Sequence, residues 1–576
     1  MNNGLKHRKT FAVTVIIVQL LVVTCSAVAF VSAQSGLVVF INSDTTWTKA
    51  NSPYSLTGPT VVNVGVTLTI NSGVTVNLND YTLLVNGTLR AVGTSADNIY
   101  INGDNITVGA GASDNSILEN VVTNAQITSP KQLTLNNDTL SNLVSVGDSS
   151  AITNNVVTAN INVGNFGTIS RNTISGDINS GNSTQFLGNS IIGDITSGTS
   201  TTFSGNFVNG SKIVHSGIGS MGYYHATALT VGNFSVISNN AIDGGVIANW
   251  SNVSNNTISG GGPFTDWVGR SEDSSSALEI SGSSTVTSNV IYSATGGYGL
   301  LVWQGHYYQE HQTENATGNT IVTASNNYIN NTVRIAANAV VDGNFITGGL
   351  QVGEVFVLAF NDVGYGYGDA VIENNVIDGG IRSSYVGGSA TIQNNLITDA
   401  INGISICSQA TIQNNTISNA QTAIVLTNTS PLINFNNIIG FSQNSVLLTN
   451  NPLAVNATND WWGTSDTQAI GLSIHDFKYD LDLGTVNFTP ILYSSNTQAP
   501  ATTYSIQQPN PPSLSQQVIA PTPTPITSPQ SSTLTTYPPT TPTPSVPEFP
   551  AIVIVPLLLS MFAVAAIVRH RKVKHG

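Results

Sequence analysis

The chain has 576 residues, a net charge of −14 and 8 % charged side chains. An acidic, charge-poor chain argues against a nucleic-acid partner, and a length that could hold several globular domains is occupied instead by one continuous repeat. Cys25 lies in the N-terminal apolar run and Cys407 stands alone in an apolar strand, so no disulfide framework is available and Cys407 reads as a buried packing residue.

Residues 1–33 read as a secretory signal. Lys6, His7, Arg8 and Lys9 form a basic start, Phe11 to Phe30 an apolar core, and Val31-Ser32-Ala33 a small-residue site with cleavage after Ala33. The long apolar run leaves retention as an anchor as the alternative.

Residues 34–495 carry one short phrase many times. It is clearest as DAVIENNVIDGG, SATIQNNLITDA and QATIQNNTISNA, with the pairs Asn374-Asn375, Asn394-Asn395 and Asn414-Asn415 about twenty residues apart. Looser copies occur upstream, and between Ala151 and Gly210 the period shortens to about seventeen, with Asn154, Asn172, Asn189 and Asn206 at the corners. A fixed period of this size marks a solenoid. Alternation of apolar and polar residues within each phrase marks strands. Stacked coils place Ile392 over Ile412 and Ile397 over Ile417 as inward ladders. Asn suits the tight corners, because it tolerates left-handed backbone and its amide hydrogen-bonds to the coils on either side.

The phrase resembles the repeats of right-handed parallel β-helix proteins of the pectin-lyase-like superfamily, especially archaeal and bacterial surface members. Trp47 to Gly93, with its phrase Val66 to Val74, resembles their usual opening, and Asn456 to Leu492, with Asn459-Asp460-Trp461-Trp462-Gly463-Thr464, their last coil. The resemblance implies an all-β fold, a single right-handed parallel β-helix. It implies no particular activity, since this scaffold carries lyases, hydrolases, adhesins and inert stalks. Trp461 and Trp462 read as a cap over the open apolar end.

Residues 496–547 are crowded with Pro, Thr and Ser and read as a disordered, extended stalk. Residues 548–568 carry Glu548-Phe549-Pro550 and the apolar run Ala551 to Val568, long enough to span a bilayer, and the basic tail 569–576 then stays in the cytoplasm. This arrangement places the β-helix outside the cell, on a membrane anchor. Pro547-Glu548-Phe549-Pro550 with its helix and basic tail also resembles PEF-type sorting signals of archaeal surface proteins, which implies processing near Glu548 and transfer to a lipid. Among about fifteen glycosylation sequons are Asn86, Asn105, Asn249, Asn252, Asn315 and Asn487.

The polygalacturonase-like catalytic phrases are not present as a set, and no His or Cys cluster has metal-ligand spacing. No cofactor is expected. Asp243, Asp378 and Asp399 follow the Asn pairs at similar places and read as a solvated edge ladder, or at most a loose Ca²⁺ site. Between residues 211 and 369 the rhythm is broken by excursions rich in aromatic and charged residues. Tyr223, Tyr224, Trp267, Arg270, Trp303, His306, Tyr307, Tyr308 and Tyr365 are the candidate ligand-binding residues, a ring-lined groove suited to a glycan chain if these insertions share one corner. The sequence therefore favours a membrane-anchored, non-catalytic envelope component, adhesin or glycan-binding rod, whose partner is an extracellular polysaccharide or another surface protein. A tethered polysaccharide lyase or glycoside hydrolase is the alternative.

Overall fold

A short strand with an apolar residue at every second position has one face to hide and cannot hide it alone. In this chain each strand finds its partners one coil before and one coil after. The computed structural model describes residues 37–210, 227–260, 276–293, 297–303, 320–357, 363–366, 368–383 and 388–514, with Trp303, 354–357 and 363–366 described by backbone only. The chain divides between Ala520 and Pro521, and the second unit lies outside the described residues. So do the signal segment with Ala33, most of the stalk, Glu548 and the apolar run 551–568. Among the described residues no helix is long and apolar enough to cross a membrane.

One coil shows the plan. Ile161–Val163 lies in the first sheet, Thr168–Ser170 in the second and Thr173–Ser175 in the third, and the chain then re-enters the first sheet at Ile178–Ser180. Repetition builds three parallel sheets with 20, 20 and 18 strands among the described residues. Ile161, Ile178 and Ile195 are in register in the first sheet, Ile169, Phe186 and Phe203 in the second, and Ile174, Ile191 and Val208 in the third. All nine are essentially fully buried and fill the space between the sheets. Ile392 over Ile412 and Ile397 over Ile417 fall as the repeat phasing expects. The fold is all-β and has the architecture of a parallel β-helix.

The Asn pairs divide their labour between the second and third sheets. The first member takes the left-handed backbone, with φ of 57° at Asn374, 55° at Asn394 and 54° at Asn414. The second member is buried and forms a ladder. Asn395 donates from its backbone N–H and from Nδ2 to Oδ1 of Asn415, both at 3.0 Å, and again from Nδ2 to the Ile372 carbonyl at 2.8 Å. This ladder runs without a gap from Asn155 through Asn172, Asn189, Asn206 and on to Asn436. Register therefore places Asn155, and not Asn154, with Asn172; Asn154 is the left-handed residue of its corner, with φ 58°. Where the first member is not Asn, the same corner holds Arg171, Gly188, Gly205, Ser288, Gly343 or Phe435, all with positive φ.

Aspartates stand at both ends of the ladder. The N–H of Asp138 donates to Asn155 Oδ1, and burial holds the Asp138 carboxyl well above the usual carboxylate range. Asp460 Oδ1 accepts from the backbone N–H and Nδ2 of Asn436, at 2.7 and 2.9 Å. A last rung needs only an acceptor, which a carboxyl supplies. Burial raises the Asp460 pKa from 3.8 to about 7. Between those values the folded chain holds a proton that the unfolded chain has released, so stability falls as pH rises through the window. Asp460→Asn keeps the acceptor and removes the charge. Denaturant melts should show the variant more stable than wild type by about 2–4 kcal/mol near neutral-to-alkaline pH and equal to it in acid below the unfolded pKa. An identical pH dependence in both proteins would mean that Asp460 ionises without cost.

Both ends of the stack are closed by aromatics. Trp47, 8 % exposed, stacks on Tyr54 with centroids 4.9 Å apart. Trp462 is buried and meets Phe488 edge-on, beside the helix Thr467–Ser473, whose N-terminus is capped by Asp466. Beyond Tyr493 the chain turns back along the corner between the second and third sheets. Asn496 N–H donates to Asn437 Oδ1 at 2.7 Å, and Thr416 Oγ1 donates to the Pro500 carbonyl. Hydrogen bonding to the solenoid thus continues past residue 495 into the first residues of the expected stalk.

Candidate ligand-binding face of the first sheet

The excursions leave the coils at two corners, not one, and both corners border the first sheet. Residues 211–226, 261–275 and 294–296 join third-sheet strands to first-sheet strands, whereas 304–319, 353–369 and 384–387 join first-sheet strands to the second sheet. The Asn ladder is untouched by them because it lies at the third corner. Tyr223, Tyr224, Trp267, Arg270, His306, Tyr307 and Tyr308 lie outside the described residues. Trp303 ends the first-sheet strand Tyr298–Trp303, and Tyr365 belongs to an antiparallel hairpin, Glu354–Val357 with Val363–Gly366.

Between those two corners the outward row of the first sheet changes chemistry. In the 17-residue coils the row is Ser145, Asn162, Asn179 and Thr196, small and neutral. It continues through Thr230 and Ile247, and from the second excursion onward becomes Glu279, Leu301, Arg334, Gln351 and Arg382, in register from coil to coil. It returns to Ser405 and Val425 once the coils regain their regular period. In a chain with so few charges, three charged side chains on one row are a local concentration.

Each member is held by its neighbours. Arg334 is 7 % exposed; its Nη1 donates to the Tyr298 hydroxyl at 2.6 Å, and its guanidinium lies 4.8 Å from the centre of the Tyr298 ring. Tyr298 precedes a register shift at Gly299, the kind of bulge that re-aims a side chain. Arg382 is exposed and donates from Nη2 to Gln351 Oε1 at 2.8 Å. The two guanidinium-bearing coils are two spacings apart, about 10 Å. Glu279 keeps some exposure as a residue, but burial of its carboxyl raises the pKa to about 7. The row therefore presents one exposed cationic donor, Arg382, beside an enclosed guanidinium held on Tyr298 and a carboxyl that can hold or release a proton near neutrality.

A pocket of about 540 Å³ adjoins this row at the corner between the third and first sheets, lined among others by Thr332, Gly349, Gly380, Arg382, Asp399 and Asn402. Glycine is required at its floor. Gly380 has φ 84°, and a Cβ there would lie 2.2 Å from the Asn402 carbonyl oxygen. Asp399 is not a third member of an Asp row. Asp378 pairs in register with Thr398, and Asp399 stands one residue later with φ 53°. Burial, then the charge of Asp399, raises the Asp378 pKa. Among the described residues no group of three or more His, Cys, Asp or Glu side chains gathers as a metal would require. Cys407 follows the strand Asn402–Ile406 and is only partly buried, its Sγ donating to the Ser383 carbonyl at 3.2 Å.

Of the glycosylation candidates, Asn252 and Asn487 are exposed, Asn86, Asn105 and Asn249 are partly buried, and Asn315 lies outside the described residues. Among the described residues, three parallel sheets form a β-helix solenoid whose first sheet carries a chemically distinct outward row. No protein-family model, no curated protein and no solved structure matches the chain.

Proposed function

We propose that this chain is a membrane-anchored cell-surface protein of the right-handed, pectin-lyase-like β-helix type, exported by its N-terminal segment and tethered by residues 548–568, which binds an envelope or extracellular polysaccharide. The supporting observation is the change of the first-sheet row from small neutral residues to Glu279, Leu301, Arg334, Gln351 and Arg382, three of the five charged, between two corners that carry excursions. A polysaccharide needs a long, shallow, polar surface with fixed donors, and guanidinium forks suit its carboxylates and hydroxyls. Arg382 is the safest probe because it is exposed. Arg382→Ala should weaken retention of the full-length protein on acidic polysaccharide by roughly ten- to a hundredfold, the value of one charge-assisted hydrogen bond. Its melting temperature should not move. Undiminished retention would remove the first-sheet face from the function.

One observation favours a second reading, a surface-tethered polysaccharide lyase or hydrolase. The Glu279 carboxyl, raised to about 7, is matched to general acid–base work at neutral pH. Release of new sugar ends by the wild-type protein, abolished in Glu279→Gln, would replace binding by catalysis. Retention without release supports the first reading.

A further inference from the structure

The corner between the first and second sheets carries a second feature, several coils from the charged row's centre. One residue per coil takes left-handed backbone there: Ser149, Phe166, Ser183, Ser200, Phe234, Trp250 and Gly282, with φ between 50° and 71°. Small residues are what such a corner accepts at least cost, and a bulky aromatic in this region is a strained outlier. Three of the seven are nevertheless aromatic, and none is tucked inside. Phe166 is 63 % exposed, Phe234 64 % and Trp250 38 %.

Phe234 and Trp250 occupy adjacent coils, joined by the Phe234 N–H to the Trp250 carbonyl at 3.0 Å, with ring centroids 6.2 Å apart. The indole lies over Gly282 of the following coil, where a Cβ would come within 2.6 Å of its atoms. Glycine at that position lets the indole lie down. Phe166 stands three coils before Phe234, about 14 Å along the same line. The rim is neutral and polar. Asn249 Oδ1 accepts from Ser281 Oγ, and Asn252 Oδ1 accepts from Thr285 Oγ1, both at 2.6 Å.

We propose that Phe234 and Trp250, with Phe166 farther along, form a stacking platform for the pyranose rings of a neutral polysaccharide segment lying along this corner. The proposal rests on the glycan-binding function proposed above and adds a site distinct from the charged row. A pyranose presents an apolar C–H face that packs on an aromatic ring, whose negative face attracts the C–H edges, while its hydroxyls need amide and hydroxyl partners at the side. Successive coils repeat at about 4.8 Å, close to the advance of one sugar in an extended chain, so rings on coils in line can meet sugars in line. A protein partner fits poorly. The apolar strip is one ring wide, whereas a specific protein interface covers about 800 Å² on each partner.

Serine is the natural replacement because it already fills this corner at Ser149, Ser183 and Ser200 with the same backbone. Full-length wild-type protein and the Phe234→Ser/Trp250→Ser double variant would be run through gels containing a soluble β-glucan, xylan or mannan, and through one containing an acidic polysaccharide. The expected result is retardation of wild type by a neutral polysaccharide, at least tenfold weaker in the double variant, with an unchanged melting temperature. Equal retardation of both proteins would overturn the platform while leaving the proposed function standing. So would retardation by the acidic polysaccharide alone, abolished in Arg382→Ala. Failure of every gel to retard wild type would sink the function and the platform together. Concentration-dependent self-association that the double variant abolishes would assign the rings to a second copy of the chain and overturn the proposal.

Discussion

Ile412→Asp will lower the stability of the solenoid by several kcal/mol, because it places an unpaired carboxylate in a dry stack. Ile412 is fully buried and sits in register between Ile392 and Ile433. Among the described residues no cation is enclosed beside it: the core residues around that position are Ile, Val, Leu and Ala, and the buried cation Arg334 lies several coils away. The coils above and below should loosen with it, as stability in a solenoid is shared between neighbours. Denaturant melts of wild type and variant check this directly. An unchanged midpoint would mean that Ile412 does not point inward and that the register of the second sheet is wrong.

Asn395→Ala will be nearly as costly for a different reason. Asn375 would lose Oδ1 of residue 395, the acceptor for both its backbone N–H and its Nδ2, and the Ile372 carbonyl would lose its donor. Asn375 Nδ2 keeps the Val341 carbonyl, which leaves two buried groups stranded at about 1–3 kcal/mol each, about 2–6 kcal/mol in total. The neighbouring residue gives the control. Asn394 contributes its left-handed backbone, φ 55°, and Asn394→Ala should cost only about 1–2 kcal/mol while Asn394→Gly costs less. Equal effects at 394 and 395 would show that the ladder does not carry the corner.

The fold was legible because its period and its apolar alternation are written in every coil. Ile392, Ile412, Ile397 and Ile417 could be paired from spacing alone. The roles within each Asn pair could not, because both residues fit a corner until the register shows which one is enclosed. The charged row was hidden for a geometric reason. Glu279, Arg334 and Arg382 are far apart in the chain, and the variable excursions between them destroy any fixed offset. A signal did exist, since each follows or precedes an inward apolar residue of a strand (Leu278, Ile335, Ile381) in a chain with few charges. The corner rings were more accessible still. Phe166, Phe234 and Trp250 each stand six residues before a ladder Asn (Asn172, Asn240 and Asn256), an offset that phasing on the second Asn of each pair would have exposed.

Hydroxyl-radical footprinting of the full-length protein, with and without the polysaccharide that best retains it, tests the central claim of a glycan-binding first-sheet face. Bound polysaccharide should reduce oxidation of Tyr298 and of the first-sheet strands from Ser276–Ser281 to Asn402–Ile406, with Phe40, Tyr479 and Tyr493 at the ends of the stack unchanged. Protection confined to those ends, or to Tyr292 and Tyr328 on the third sheet, would contradict it.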